Sequence, residues 1–242
     1  MSELHSTADS TATWAMQRQL ALVSDVSTGS TNDNAKSAAL SEDAEFVLYL
    51  TAHQSAGRGR GANHWLDTGA GESLLSTWSM RMPSPPQAIT GPRVGLALFT
   101  ALTKTWPQLA WSLKAPNDLF LDGLKAAGLL VETVSNGREH RLLVGLGFNV
   151  LNHPRRFSEA THLAHALSAR PQEGDWFKFL DELTAQLKVA ALEIVKPGLT
   201  ETARKALIQA LNANPNRPFE VSEISSEGDL HFATGKVRWT DL

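Results

Sequence analysis

Asp122 and Gly123 divide two apolar runs, "DLFL" over 118–121 and "LKAAGLLVETV" over 124–134. Asp-Gly is favoured in two-residue hairpin loops, because both turn positions of the type I′ geometry need positive φ. The two runs are therefore expected to pair side by side and antiparallel. A third run, "HRLLVGLGFNV" (140–150), is almost wholly apolar and reads as a buried strand of the same sheet. Upstream, "LALVSDV" (20–26), "EFVLYLTA" (45–52) and "SLLSTWSMRM" (73–82) carry the β-branching and alternation of strands. Helices punctuate them. Ser30 or Thr31 can cap a helix running to about Leu40, and "GPRVGLALFTALTKTW" (91–106) places apolar residues at helical spacing.

The pattern changes after residue 154. "EATHLAHALS" (159–168), "DWFKFLDELTAQLKVAALEIV" (175–195) and "ETARKALIQALNA" (201–213) read as helices, and "NANPNRP" (212–218) as a linker. The remaining tail holds two or three short strands around Gly228 and Gly235, too few to bury a core of their own. The expected fold class is α/β (α+β): a mixed β-sheet core with packed helices over 14–212, and a small C-terminal β domain over 213–242. Residues 1–13 are rich in Ser, Thr and Ala and are expected to be disordered. No internal repeat is visible.

Composition narrows the function. The chain has 242 residues, a net charge of −3 and no cysteine. Disulfides, thiolate metal sites and a cysteine nucleophile are excluded, and the mild acidity disfavours a nonspecific nucleic-acid binder. The polar N-terminal segment has no apolar core of a signal peptide, and no stretch approaches the roughly 20 apolar residues of a membrane span. A cytoplasmic protein is expected, with no membrane partner.

Chemistry gathers in two places. "HQSAGRGRGANHW" (53–65) follows a strand and sets Arg58 and Arg60 among glycines. It lacks the Walker string. "GRGRGA" has the letters of a dinucleotide fingerprint, but no helix follows it. Two guanidinium groups on bendable backbone, with no obvious acidic partner in the sequence, suit a phosphate or carboxylate ligand, although a solvated surface loop has the same composition. The second cluster, Lys114, Asn117, Asp118 and Lys125, surrounds the hairpin, and Gly128 leaves room for a ligand against the strand. His162 and His165 stand three apart on one helix, a spacing that gives little support for a metal pair; His64 reads as a solvated loop residue.

Four blocks in order resemble the biotin protein ligase family: "STN" (30–32), "QSAGRGR" with Trp65 (54–65), "KAPNDLFLDGLKAAGLLVE" (114–132) and "VGLGFNV" (144–150). The resemblance implies a short ligase without an N-terminal DNA-binding module, and a shortened SH3-like C-terminal domain. It implies that biotin and ATP, with Mg²⁺, give biotinyl-AMP, and that biotin then passes to one lysine of a carboxyl carrier domain of a carboxylase. Ser30, Thr31, Asn32 and Gln54 would hold biotin, with Gly57, Arg58, Gly59, Arg60, Gly128 and Gly145 close to it. Lys125, Arg60 and Arg58 would be the catalytic cations, Lys125 lying between the biotin carboxylate and the α-phosphate. Trp65, Asn117, Asp118 and Asn149 would form the ATP side, with Asp118 a candidate Mg²⁺ ligand. No nucleic-acid partner is implied, and a homodimer is compatible with the family. Ligation of lipoate or octanoate, or biotin binding without turnover, are the alternatives.

The sequence departs from the family where Gly61, Ala62, Asn63 and His64 fill a stretch that is usually more basic, and where Ala115 replaces a tryptophan. Both changes remove contacts expected near the nucleotide. Arginine restored at 61 and 63 is expected to reduce release of the adenylate; unchanged release, measured as free adenylate during turnover, would overturn this.

Overall fold

In the computed structural model, residues 2–192 and 198–242 are described. Seven strands form one sheet in the order β1-β2-β3-β7-β6-β5-β4. They are β1 (Ala21–Thr28), β2 (Phe46–Gln54), β3 (Ser73–Met82), β4 (Trp111–Lys114), β5 (Asp118–Leu121), β6 (Leu124–Asn136) and β7 (Glu139–Asn149). The edge strand β1 runs parallel to β2, and every other neighbouring pair is antiparallel. The Asp-Gly turn joins β5 to β6, with φ of 51° at Asp122 and 77° at Gly123. These are the left-handed values that its composition predicts.

Strand alternation sorts side chains onto two unlike faces. Leu48, Leu50, Trp78, Met80, Leu142, Val144 and Phe148 point into the main core. There they meet α1 (Thr7–Gln17), α3 (Thr90–Thr105) and α5 (Glu173–Leu192). Trp14, Trp78, Trp176, Phe148 and Phe179 are its largest fully buried members. Val47, Tyr49 and Leu143 point the other way and meet Ala35 of α2 (Thr31–Ala38), which covers only part of that face. Helices thus stack on one side and leave a stretch of β3, β7 and β6 open on the other.

The expected disorder over residues 1–13 is corrected. Ser6 caps α1 by accepting from the Asp9 amide, and Leu4, Thr7, Ala8, Thr11, Trp14 and Ala15 form a buried stripe. Small side chains, which suggest disorder by composition, here allow a helix to pack closely. The Trp14 indole donates to Asp181 at 2.9 Å, and the Arg18 guanidinium spans both oxygens of the same carboxylate at 2.9 and 2.7 Å.

Two further expectations change. The helix expected from residue 159 is only α4 (Leu163–Leu167). The backbone before it is engaged elsewhere: the Lys125 amide donates to the Glu159 carbonyl at 2.8 Å, and the Thr161 amide donates to the Lys125 carbonyl at 2.9 Å. Residues 152–161 therefore form a strap along the start of β6. α5 matches its expected course as far as Leu192; the expected last residues, 193–195, lie outside the described residues. The stretch 212–218 after α6 (Glu201–Asn212) is fastened rather than loose. Asn212 exchanges two 2.8 Å hydrogen bonds with the Val221 backbone, and Asn216 donates to the Gly123 carbonyl at 3.0 Å. The tail that follows forms a small antiparallel sheet of β8 (Glu223–Ile224), β9 (Leu230–Phe232) and β10 (Gly235–Val237), then a 3₁₀ turn, Trp239–Asp241. Val221, Ile224, Leu230 and Trp239 belong to the main core. Among the described residues, no helix is long and apolar enough to cross a membrane.

If α1 is part of the folded core, Trp14→Ala should lower stability by about 3–5 kcal/mol, the usual loss for a buried tryptophan. Urea denaturation measures this, and a change below about 1 kcal/mol would remove α1 from the core.

Candidate functional site

The open face of the sheet forms the floor of a cavity of about 760 Å³. On this floor Gly128 of β6 faces Gly147 of β7, and Leu130 faces Gly145. The Trp65 indole lies across Gly128 and Gly147, where a side chain on either glycine would meet its ring. A side chain at 145 would likewise overlap the Asn32 carboxamide. The absent β-carbons make a flat floor on which other residues rest.

One end of the cavity is built at the N-terminus of α2. Ser30 holds the N-cap position without a side-chain capping bond. Gln54 Oε1 accepts from the Thr31 amide at 2.8 Å, and the Thr31 hydroxyl lies 3.2 Å from it. Asn32 Oδ1 lies 2.6 Å from the Thr77 hydroxyl of β3, while Asn32 Nδ2 donates to Glu132 at 2.9 Å. Ser30, Thr31 and Asn32 are all buried.

The Gly/Arg loop is a small hairpin of its own. The Gly59 amide donates to the Asn63 carbonyl at 2.8 Å, and the Trp65 amide to the Gly57 carbonyl at 2.9 Å. Gly57 lies behind Trp65: a β-carbon there would sit 2.6 Å from the Trp65 carbonyl. Of all the residues expected to form the site, Gly57 alone does not line the cavity.

The two arginines have different surroundings. Arg58 does have acidic partners, contrary to expectation. Its guanidinium donates to Asp33 at 2.5 Å and to both oxygens of Glu132 at 3.1 and 2.8 Å. Those hydrogen bonds raise the Arg58 pKa above its ordinary value. Burial pushes the Glu132 carboxyl up, but hydrogen bonds from Arg58 and Asn32 outweigh it and hold Glu132 below the usual range. Lys36 Nζ lies 3.5 Å from Glu132 as well, so Arg58 lines the cavity as part of a cluster of two cations and two carboxylates. Arg60 instead donates to the main-chain oxygens of Thr240 and Leu242, beyond the small sheet.

At the other end, Lys125 Nζ lies 2.7 Å from Asp118 Oδ1 and 6.0 Å from the Trp65 ring centre. Asn117 Nδ2 donates to the Leu129 carbonyl at 3.2 Å, which fixes the turn before β5. Asn149 Nδ2 donates to the Thr161 carbonyl at 3.1 Å, but Asn149 Oδ1 and Trp65 Nε1 are buried without a protein partner. Both residues line the cavity. The strap adds Pro154, Arg156, Phe157, Glu159 and Ala160 to its wall.

Three comparisons bear on this arrangement. The sequence profile of the biotin/lipoate A/B protein ligase family matches residues 26–149. The chain belongs to that family. It is 33% identical over 160 residues to the biotin–[acetyl-CoA-carboxylase] ligase of Mycobacterium tuberculosis, a match covering 64% of this chain and 58% of the relative. It is 33% identical over 104 residues to the bifunctional ligase/repressor BirA of Escherichia coli, covering 42% of this chain but only 32% of that protein. The chain therefore spans little more than half, or less, of these two curated relatives. A biotin protein ligase of Aquifex aeolicus, solved with biotin and ATP, shares the fold: TM-score 0.66 at 19% identity, over 90% of this chain and 94% of that one.

The departures from the family sequence now have places. Ala62, Asn63 and His64 line the cavity wall. Gly61 has φ of +64°, so arginine there would be strained. The suggested pair of restorations therefore reduces to Asn63→Arg alone. Some contributors were missed. Glu132 and Gly147 belong to the quoted blocks and Asp33 directly follows the first, yet only the fold shows what they touch. Arg156 and Phe157 carry no local signal.

Beside the strap, His153 Nδ1 lies 2.8 Å from His162 Nδ1. One ring must donate and the other accept, so the contact requires at least one neutral ring. Burial, with His153 and His165 nearby, pushes His162 down to about 4 from its ordinary 6.5, against an upward pull from Glu72. Burial, His165 and Arg155 lower His153 as well. The unfolded chain takes up these protons first, so the contribution is full above about pH 6.5 and declines as pH falls toward 4. Melting temperature should therefore fall less between pH 7 and 4 in His162→Gln than in the unchanged protein. Parallel slopes would show that the pair does not titrate with folding.

Proposed function

We propose that this protein activates biotin with ATP to biotinyl-AMP and transfers the biotinyl group to one lysine of a biotin carboxyl carrier domain. The observation that carries this reading is a single cavity with two unlike ends, joined at Lys125. One end is small, buried and polar over a glycine floor, as a neutral bicyclic ring with a hydrogen-bonding urea requires. The other holds Asn117, Asp118 and Asn149, suited to a polyphosphate.

Adenylation brings two anions together. A carboxylate oxygen of biotin attacks the α-phosphorus, and the bond from that phosphorus to the pyrophosphate oxygen breaks. Fixed positive charge must offset the repulsion and stabilise the crowded transition state. Lys125 supplies it at the junction, held by Asp118 until phosphate competes for the ammonium. Ser30, Thr31 and Gln54 would hold the urea, with Asn32 keeping that group in place. Trp65 lies over the floor and shields the acyl phosphate from water. Arg60 reaches the same wall and would retain the adenylate. In the second step the carrier lysine amine attacks the acyl carbon, AMP leaves with the phosphate oxygen, and the amine loses a proton.

The donor set fits Mg²⁺. Asp118 offers a carboxylate and Asn149 a buried oxygen with no protein partner, both hard oxygen ligands. Among the described residues there is no cluster of three metal-binding side chains, so these two would hold the ion jointly with phosphate oxygens. Bound there, Mg²⁺ would neutralise charge on the departing pyrophosphate.

ATP–pyrophosphate exchange with biotin, lipoate, octanoate or no acid tests this reading. Exchange is expected with biotin alone and should fall by at least ~100-fold in Lys125→Ala, the scale of removing a transition-state contact. Exchange driven by lipoate or octanoate would reassign the substrate. Biotin binding by calorimetry without exchange would make the protein a binder.

A further inference from the structure

The 3₁₀ turn Trp239–Asp241 follows the small sheet, yet its contacts lie at the cavity. The Trp239 indole is 4% exposed. It rests on α3 where glycines stand at 91 and 95: a β-carbon on Gly91 would lie 3.1 Å from its Nε1, and one on Gly95 3.5 Å from its outer ring. From that seat Trp239 Nε1 donates to the Pro116 carbonyl at 2.8 Å. Pro116 immediately precedes Asn117, which bonds the Leu129 carbonyl, and Asp118, which meets Lys125; both line the cavity. The next residues take hold of the Gly/Arg hairpin, because Arg60 donates to the Thr240 and Leu242 main-chain oxygens. One short turn thus touches both walls of the nucleotide end of the cavity and anchors them to the same helix.

We infer that the 239–242 segment is a strut for the adenylation site, and that Trp239 is a positioning residue which sets the Asn117–Asp118 turn through the Pro116 carbonyl. This rests on the proposed function for its kinetic consequence, but the placement of the turn does not. The indole holds the turn at the Pro116 carbonyl, apart from the Asn117–Leu129 hydrogen bonds, and takes no contact from the Asp118 carboxylate, which stays turned toward Lys125. The biotin end has no such tie. Ser30, Thr31 and Asn32 are held by Gln54, Thr77 and Glu132. Loss of the strut should therefore affect nucleotide and not biotin.

Trp239→Phe keeps an aromatic ring against α3 but removes the N–H donor together with part of the bicycle that covers Gly91 and Gly95. In the exchange reaction it should raise KM for ATP about fivefold, the scale of one ordinary hydrogen bond, while KM for biotin stays within about twofold and the melting temperature within ~3 °C. Gly91→Ala, which crowds the indole from below, should reproduce the split in milder form and guards against a Phe variant that misfolds. Hydrogen–deuterium exchange over residues 114–121, without any ligand, should be faster in both variants. An unchanged KM for ATP, or both KM values rising together with a fall in melting temperature, would overturn the inference. If the unchanged protein shows no exchange activity, the functional reading fails. Amide exchange then decides the strut alone: equal protection of 114–121 in variant and unchanged protein would overturn it.

Discussion

The opposed glycines of β6 and β7 are the constraint on which the rest depends. Gly128 faces Gly147 across the ladder, and Gly145 stands two residues away on the same face. Anywhere else in the sheet these positions would carry side chains that fill space or meet solvent. Here their absence admits an indole and a carboxamide directly onto backbone. The helices on the opposite face supply the packing that these strands forgo on this one. A sheet buried on one side and bare on the other can thus remain rigid and still present a concave surface.

Charge is arranged around that floor in two different ways. Near α2 the cations Arg58 and Lys36 are matched by Asp33 and Glu132, so this end carries little uncompensated charge. Such a balance suits a neutral group, which a bare guanidinium would leave poorly desolvated. At the far end Lys125 has one carboxylate partner and stays partly exposed. Arg60 is held by main-chain oxygens, those of Thr240 and Leu242, and by no acidic side chain among the described contacts. The positive charge that could be offered to an anion therefore lies at the end of the cavity that the proposed function gives to the nucleotide phosphates.

Much of this was legible in residue order. Asp122–Gly123 set the hairpin, apolar alternation set the strands, and the residues of the four blocks meet at one cavity because the ladder β3-β7-β6 brings them there. What could not be read depends on partners distant in sequence. Arg58 seemed unpaired because Glu132 lies 74 positions away and reaches it only after β6 takes its place beside β7. The opening helix resembled a disordered tail because its small residues acquire meaning only against α5. The strap before α4 has helix-forming residues, but its backbone is already paired with β6. Local preference yields wherever tertiary hydrogen bonds claim the same amides.

That strap has a kinetic meaning. Both backbone polar groups of Lys125 are bonded to it, the amide to Glu159 and the carbonyl to Thr161. The main chain at Lys125 is pinned on both sides, while the side chain above remains partly open to solvent. In the proposed reaction, transfer of the ammonium from carboxylate to phosphate would need only rotation about side-chain bonds, an event of picoseconds to nanoseconds rather than the microseconds or longer of a domain closure. A partly exposed cation on a fixed post is one whose handover, under that proposal, would not limit the speed of the chemistry.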